Sequence, residues 1–364
     1  NYEGRSYTFG EMAEAIDEWH LFFASQGLQH GDKVALMGKD TAEWAIFFLA
    51  VITYGAVIVP VLQDFPPADA MQIIDHSESK ILGINPSLWE GMNAAGIPQV
   101  ATILDFQEGH ILHASAGTAE VEAQLRPTIA PASPKGCAPR TSPTTRRPTR
   151  TSWSSTTPQV RRASARVSCS RGITSLATSP FAWSARSSSR ARLFLPMAHV
   201  YSCMINLFLA MATGTHVVIL GKVPSPKILG VAFKKVRPTV VISVPLVLEK
   251  IYQNTLQPIL KSSKVRFMLA IPGIREVVYR KIRKQLTEGL GGAFRQVIVG
   301  GAALNPEVGA FLKRIGFPIT VGYGMTECAP LISYVDAREW RLRSCGQVLH
   351  PYMEARIAPL EQHE

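Results

Sequence analysis

The stretch Gln296–Ser333, QVIVGGAALNPEVGAFLKRIGFPITVGYGMTECAPLIS, concentrates residue types that can handle a nucleotide. Gly300-Gly301 close one short apolar run and Gly322 closes another. Glycines at such ends let a ligand approach the backbone closely. Tyr323 supplies a flat face for a base, and Thr326 offers a hydroxyl to a phosphate. Glu327 is a hard oxygen ligand suited to Mg²⁺. The plainer reading is that the glycines merely make turns and Glu327 is a solvated surface acid. The nucleotide reading is preferred because these residues form one connected pattern.

The intervening residues explain how they would be positioned. Gln296–Val299 reads as a short strand. Asn305 is placed to cap a helix, Pro306 suits its first turn and Glu307 favours its positive end. Val308, Phe311, Leu312 and Ile315 form one apolar face, and Gly316 ends the helix. Pro318–Val321 is then a second strand. A right-handed strand–helix–strand unit puts the ends of two parallel strands on one sheet edge, where open α/β sheets bind ligands.

The same alternation runs through the flanking sequence. Thr8 and Glu11 have capping-box spacing, Met12, Ile16, Trp19 and Phe23 recur at helical spacing, and Gly27 ends the run. Strands are expected at 33–37, 57–61 and 80–84, with helices from Thr41 to Gly55 and over about 67–76. After Leu193, strands are expected at 216–220 and 239–243, and helices at 245–253 and 277–288. These patterns predict an α/β fold with mostly parallel sheets flanked by helices. The uncharged runs 46–62 and 193–220 could suggest membrane spans, but Gly55, Pro60, Pro196 and Gly214 divide them, so buried core is preferred.

The formal charge is +11, yet its location matters more than its size. Residues 135–192 hold 12 of the 38 basic residues and no acid, which leaves 26 bases against 27 acids elsewhere. The segment from about Pro131 to Arg192 is built from Ser, Thr, Arg, Pro and Ala without apolar periodicity. It is expected to be irregular and poorly packed. Three readings of it are a basic linker, an arginine-rich nucleic-acid arm, and a stretch translated in the wrong frame. Cys137, Cys169, Cys203, Cys328 and Cys345 have no metal-ligand or redox spacing, so a reducing, cytoplasmic compartment is the simplest expectation. The chain opens on Asn1 and not Met, so an upstream segment is expected to be missing, and no secretory leader is read.

Tyr323-Gly-Met-Thr-Glu327, preceded by Gly300-Gly-Ala302, resembles the adenylate-forming superfamily of acyl-CoA synthetases, luciferases and peptide-synthetase adenylation domains. The longer GYGMTECAPLIS resembles its long-chain fatty acyl-CoA synthetase branch. Tyr7-Thr-Phe9, Tyr54-Gly-Ala-Val-Ile-Val-Pro60, Leu195-Pro-Met-Ala-His199 and Ser344-Cys-Gly346 with Pro351 match further segments. The resemblance implies the large N-terminal domain of that fold, as residues 1–130 and 193–364 around the anomalous segment 131–192. It implies ATP-dependent activation of a fatty acid to acyl-adenylate and transfer to coenzyme A, with another acyl or aryl acid ligase as the alternative. Gly300, Gly301 and Ala302 would then border adenine and the acyl pocket, and Tyr323 would stack on adenine. Gly322, Gly324 and Met325 would complete the nucleotide site. Thr326 would contact the α-phosphate, Glu327 would hold Mg²⁺, and His199 would lie near the acyl-pocket entrance. A lone His beside apolar residues is also commonly a satisfied core residue. The implied partners are fatty acid, ATP and coenzyme A. Peripheral membrane association is left open, and neither a nucleic acid nor a partner protein is expected.

The resemblance also implies a Ser/Thr/Gly-rich phosphate loop ending in Lys-Gly, and none is visible. Residues 155–170 read STTPQVRRASARVSCS. Codons can be chosen so that reading two nucleotides later gives YYTSGTSGKRKGVMLS, which closely resembles that loop and lies at the expected place. A frameshift replacing the loop is therefore the preferred reading. The family's small C-terminal domain, with its adenylation lysine, is expected to be absent, and the chain as written is expected to be catalytically impaired.

Overall fold

The computed structural model describes residues 5–115, 190–193, 195–221, 226–328, 330–350 and 353–356. Helix Phe9–Ser25 starts at the expected capping box: Thr8 Oγ1 accepts from Glu11 N, and the Glu11 carboxylate accepts from Thr8 N at 2.6 Å. Its inner face buries Trp19, Phe22 and Phe23. Helix Ala42–Tyr54 starts where Thr41 Oγ1 accepts from Trp44 N, and it stops at Gly55, whose φ of 94° few other residues adopt. The apolar run 46–62 therefore folds as helix, turn and strand. Among the described residues no helix is long and apolar enough to cross a membrane.

Two five-stranded sheets form the framework. In the first, β1 (Lys33–Met37), β2 (Val57–Val61), β3 (Ile81–Ile84), β4 (Thr102–Leu104) and β5 (Ile111–Ala114) lie in the order β2-β1-β3-β4-β5. All pairings are parallel except β4 with β5. The second sheet contains β6 (Arg190–Leu193), β7 (His216–Ile219), β8 (Val240–Ser243), β9 (Gln296–Val299) and β10 (Ile319–Val321), in the order β10-β9-β8-β6-β7 and parallel throughout. Helices flank both sheets, as the alternation predicts.

Strands β4 and β5 were not among the expected elements, and three further features depart from the sequence reading. β6 begins at Arg190, so ordered sheet reaches three residues into the stretch expected to be irregular. Parallel pairing needs only backbone groups, and β6 finds them between β7 and β8. Residues 131–189, which carry the rest of that expectation, lie outside the described residues. A small antiparallel sheet of β11 (Tyr323–Gly324), β12 (Leu331–Tyr334) and β13 (Gln347–Val348) was not foreseen, because two to four residues carry almost no periodic signal. Helices Pro226–Val236 and Ser263–Ala270 were also missed.

The run after Pro196 joins the two sheets. It is helical from Val200–Ser202 through a π-helical turn at Cys203–Leu209 to Ala210–Ala212. Every residue of the π-turn is buried. It packs on helix Ala42–Tyr54, with the rings of Phe48 and Phe208 5.8 Å apart, and one core includes both helices together with Ile242 and Ile298 of the second sheet.

A polar tie lies beside this apolar seam. Asp40 Oδ1, just after β1, accepts from the backbone N–H of Met197 at 2.9 Å. Burial pushes the Asp40 carboxyl up to about 6, against the lowering effect of the Met197 N–H. A carboxyl whose folded value is raised favours the native state when protonated, and that contribution fades as pH rises through the folded value. Asp40→Asn keeps the acceptor oxygen and removes the buried charge. The variant is expected to gain stability relative to the parent between about pH 4 and pH 6, reaching on the order of 2 kcal/mol at neutral pH. Urea unfolding of both proteins across this range checks it; a difference that does not change with pH would contradict it.

Candidate functional site

The site is assembled by the carboxyl ends of β8, β9 and β10. Parallel register aligns Ser243 with Val299 and Val299 with Val321. The ladder continues one residue beyond the strands: Gly300 N donates to Ser243 O at 3.2 Å and Gly322 N donates to Val299 O at 2.9 Å. The expected strand–helix–strand unit is present, with helix Pro306–Arg314 between β9 and β10. Asn305 caps it by accepting from Glu307 N and Val308 N, and Val308, Phe311 and Leu312 are buried. Gly316 follows with φ 68°.

Gly300 and Gly322 are therefore brought to one edge. Gly301, next in the chain, has φ 86° and is exposed, as is Ala302. Tyr323 follows Gly322 and is 53% exposed, so its ring is not consumed by the core. It is held as a strand residue of β11 opposite Ser333. Gly324 has a strict requirement, because a Cβ there would run into the backbone of Pro330. Met325 N donates to Pro330 O at 2.8 Å, and the chain then turns through Thr326–Cys328. Met325, Thr326 and Glu327 are all exposed. Pairing with β12 and the Met325 bond to Pro330 hold the backbone of Tyr323–Met325 from one side.

His199 arrives from a different element. It is exposed and acts as a cap, its Nδ1 accepting from Tyr201 N at 3.2 Å. Its connection to the strand edge passes through Tyr201, which the sequence reading missed. The Tyr201 ring lies 3.1 Å from where a Gly300 Cβ would stand, and its hydroxyl donates to Ile298 O at 3.5 Å. Burial drives the Tyr201 phenol well above its ordinary range, so it remains neutral and acts as packing and a hydrogen-bond donor. Tyr334 is likewise raised, chiefly by burial, while its hydroxyl donates to Gln296 Oε1 at 3.1 Å at the other end of β9. The available signal for Tyr201 was its place two residues after His199, but only folding shows that it fills the space a side chain at Gly300 would take.

Among the described residues no three His, Cys, Asp or Glu side chains cluster to hold a metal. The stretch that follows β10 offers the exposed Glu327 carboxylate, with the Thr326 hydroxyl beside it in sequence. That set does not suit a fully protein-caged ion. It does suit Mg²⁺, which is commonly bound through one or two carboxylates plus phosphate and water oxygens.

Comparison with known proteins places this geometry in context. The family described as AMP-binding enzyme matches residues 1–155 and 164–363. The long-chain-fatty-acid–CoA ligase FadD15 of Mycobacterium bovis is 28% identical over 96% of this chain and 60% of its own length. The chain spans about 60% of the length of that relative and of its Mycobacterium tuberculosis counterpart. Among solved structures, apo MatB from Rhodopseudomonas palustris superposes with a TM-score of 0.61 at 17% identity, covering 93% of this chain and 58% of MatB. The N-terminal domain of FACL13 from Mycobacterium tuberculosis gives 0.60 at 18% identity, covering 94% and 75%. These two likenesses establish the α/β fold.

The contact between Gly300 and Tyr201 yields a test. Gly300→Ala should cost on the order of 1–3 kcal/mol, because the added methyl meets a well-packed ring. Tyr201→Phe removes one of the crowding atoms, so the two changes should be non-additive by roughly 0.5–1 kcal/mol. Denaturant unfolding of both single variants and the double variant checks this. Strict additivity would show that the ring does not shape the strand end.

Proposed function

The chain belongs to the AMP-binding enzyme family, and from that premise we propose that its strand-edge site is built to hold ATP for the activation of a long-chain fatty acid. The observation that supports this reading is the placement of Gly300 and Gly322 at one sheet edge, where α/β folds receive ligands, with Gly301–Ala302 and Tyr323–Glu327 following them in the chain. The likeness to FadD15, named as a long-chain-fatty-acid–CoA ligase, supports the substrate class.

In the proposed reaction a carboxylate oxygen of the fatty acid attacks the α-phosphorus of ATP. The bond to pyrophosphate breaks, giving acyl-adenylate. The thiol of coenzyme A then attacks the acyl carbonyl and AMP leaves. Such chemistry rests mainly on positioning and charge stabilisation. Gly300, Gly301 and Ala302 would leave room for adenine, and Tyr323 would stack on it, with Gly322, Gly324 and Met325 shaping the turn beneath. Thr326 would donate to the α-phosphate. Glu327 would hold Mg²⁺, which when bound supplies neutralising charge to the phosphates. His199 would border the acyl entrance, held in place through its cap on Tyr201. A cytoplasmic setting and contact with a membrane surface belong to the same reading.

The chain as written is proposed to be impaired in the first step, since no Lys-Gly phosphate loop is legible between the two sheets. Support comes from the family match, which is interrupted at residues 156–163, inside the stretch whose alternative frame resembles that loop. Two proteins test this. One is the chain as given; the other has residues 155–170 replaced by YYTSGTSGKRKGVMLS. Both are fused to the C-terminal portion of FadD15 to supply the length this chain does not span. Fatty-acid-dependent ATP–pyrophosphate exchange should appear only in the second protein and fall at least ~100-fold with Glu327→Ala. Strong exchange in the first would overturn the impairment, and none from a well-folded second protein would count against the ligase reading.

A further inference from the structure

We propose that the helical segment 257–284 is a docking surface for an anionic lipid bilayer. The whole-chain balance hides this feature. Outside the Ser/Arg-rich stretch the bases and acids nearly cancel, yet residues 257–284 hold eight Lys or Arg against the single acid Glu276, a formal charge of +7. Two of the eight have an acidic neighbour: Arg275 beside Glu276 at 3.6 Å and Lys284 beside Glu288 at 3.9 Å, both at exposed positions where pairing is weak. Lys261, Lys264, Arg266, Arg280, Lys281 and Arg283 are all exposed.

The exposed face is amphipathic in an unusual sense. Helix Ile274–Gly289 turns Val278, Tyr279 and Ile282 into the second core. Ile274, Val277, Lys281 and Lys284 recur three and four residues apart, which places them on one stripe. Ile274 is 39% and Val277 57% exposed. Helix Ser263–Ala270 packs beside it, with Val265, Met268 and Leu269 against the core and Phe267, 70% exposed, next to Arg266 and three residues after Lys264. Large apolar side chains left in water beside a dense field of cations are expensive on a free surface. They suit a bilayer boundary, where Phe, Ile and Val enter the acyl layer and Lys and Arg meet lipid phosphates. The charge argues for this occupant over an apolar protein groove, because Lys281 and Lys284 continue the same stripe and such a groove would have to desolvate them.

The inference rests on the proposed ligase reading only for its purpose, since fatty acids partition into bilayers and a docked enzyme would draw them from there. The binding itself requires no turnover. The test is co-sedimentation of the full chain with vesicles of phosphatidylcholine alone and of phosphatidylcholine mixed equally with phosphatidylglycerol. Binding should be confined to the anionic vesicles and weaken with added salt. Each cation at the surface contributes roughly fivefold, so Lys264→Gln, Arg266→Gln and Lys281→Gln combined should weaken binding by about 100-fold. Phe267→Ser, a separate exposed change, should weaken it several-fold with its salt dependence unchanged. Circular dichroism confirms that each variant remains folded. Unchanged binding by the triple variant would overturn the proposal and assign any lipid affinity to the arginine-rich stretch. Equal binding to neutral vesicles would also overturn it. So would a dimer abolished by these changes in a chain that does not bind vesicles, which would make a second copy the occupant. Exchange by the loop-repaired fusion without vesicle binding would sink this inference alone; vesicle binding with no exchange from that well-folded fusion would leave it standing and count against the ligase reading.

Discussion

The parallel ladder of β8, β9 and β10 is the constraint on which the candidate site depends. In a parallel sheet every strand points its carboxyl end the same way, so residues far apart in the chain are delivered to one edge. Here the register carries Ser243, Val299 and Val321 to a common level, and the amides of Gly300 and Gly322 extend the bonding one step further. The chain leaves the sheet at glycines because the space above is already taken. Tyr201 fills it at Gly300, and the Leu331 side chain fills it at Gly322. Close packing around the strand ends thus supports the backbone that would meet a ligand.

Beneath that edge the two large sheets share a core. Helix Ala42–Tyr54 and the π-helical turn Cys203–Leu209 supply most of the seam, and burial of their aromatic and aliphatic side chains is the main favourable term there. Asp40 adds direction to it by accepting the Met197 amide. The same short run, 195–201, therefore ties the first sheet to the second, presents His199 and seats Tyr201 under Gly300. A π-turn within a buried helix commonly marks a place where function has a claim on local geometry, and this one begins after the single turn Val200–Ser202 that His199 caps.

Net charge is a poor guide to this protein until it is divided along the chain. The arginine-rich stretch dominates the total, and the near-neutral remainder conceals a helical hairpin of opposite character to its surroundings. Charge acts over about a Debye length, so what a surface attracts depends on which residues the fold gathers within that distance.

Much of the framework was legible in the sequence because its signals are local. Capping at Thr8, Thr41 and Asn305 depends on residues within three positions, and the strands 33–37, 57–61 and 296–299 are short apolar runs bounded by breakers. The glycine pairs and the Tyr323–Glu327 motif were likewise readable as a connected unit. Folding alone decided the rest. β6 takes its place between β7 and β8 through backbone bonds that side-chain composition does not announce. The sheet of β11, β12 and β13 joins pieces too short to show a period. Tyr201 became part of the site, and Phe267 became an exposed residue among cations, because packing determines which face of each helix is left over. Local propensity specifies elements. Which strand ends coincide, and which side chains are spent in the core, depends on contacts between residues remote in sequence, and one chain read alone does not contain those distances.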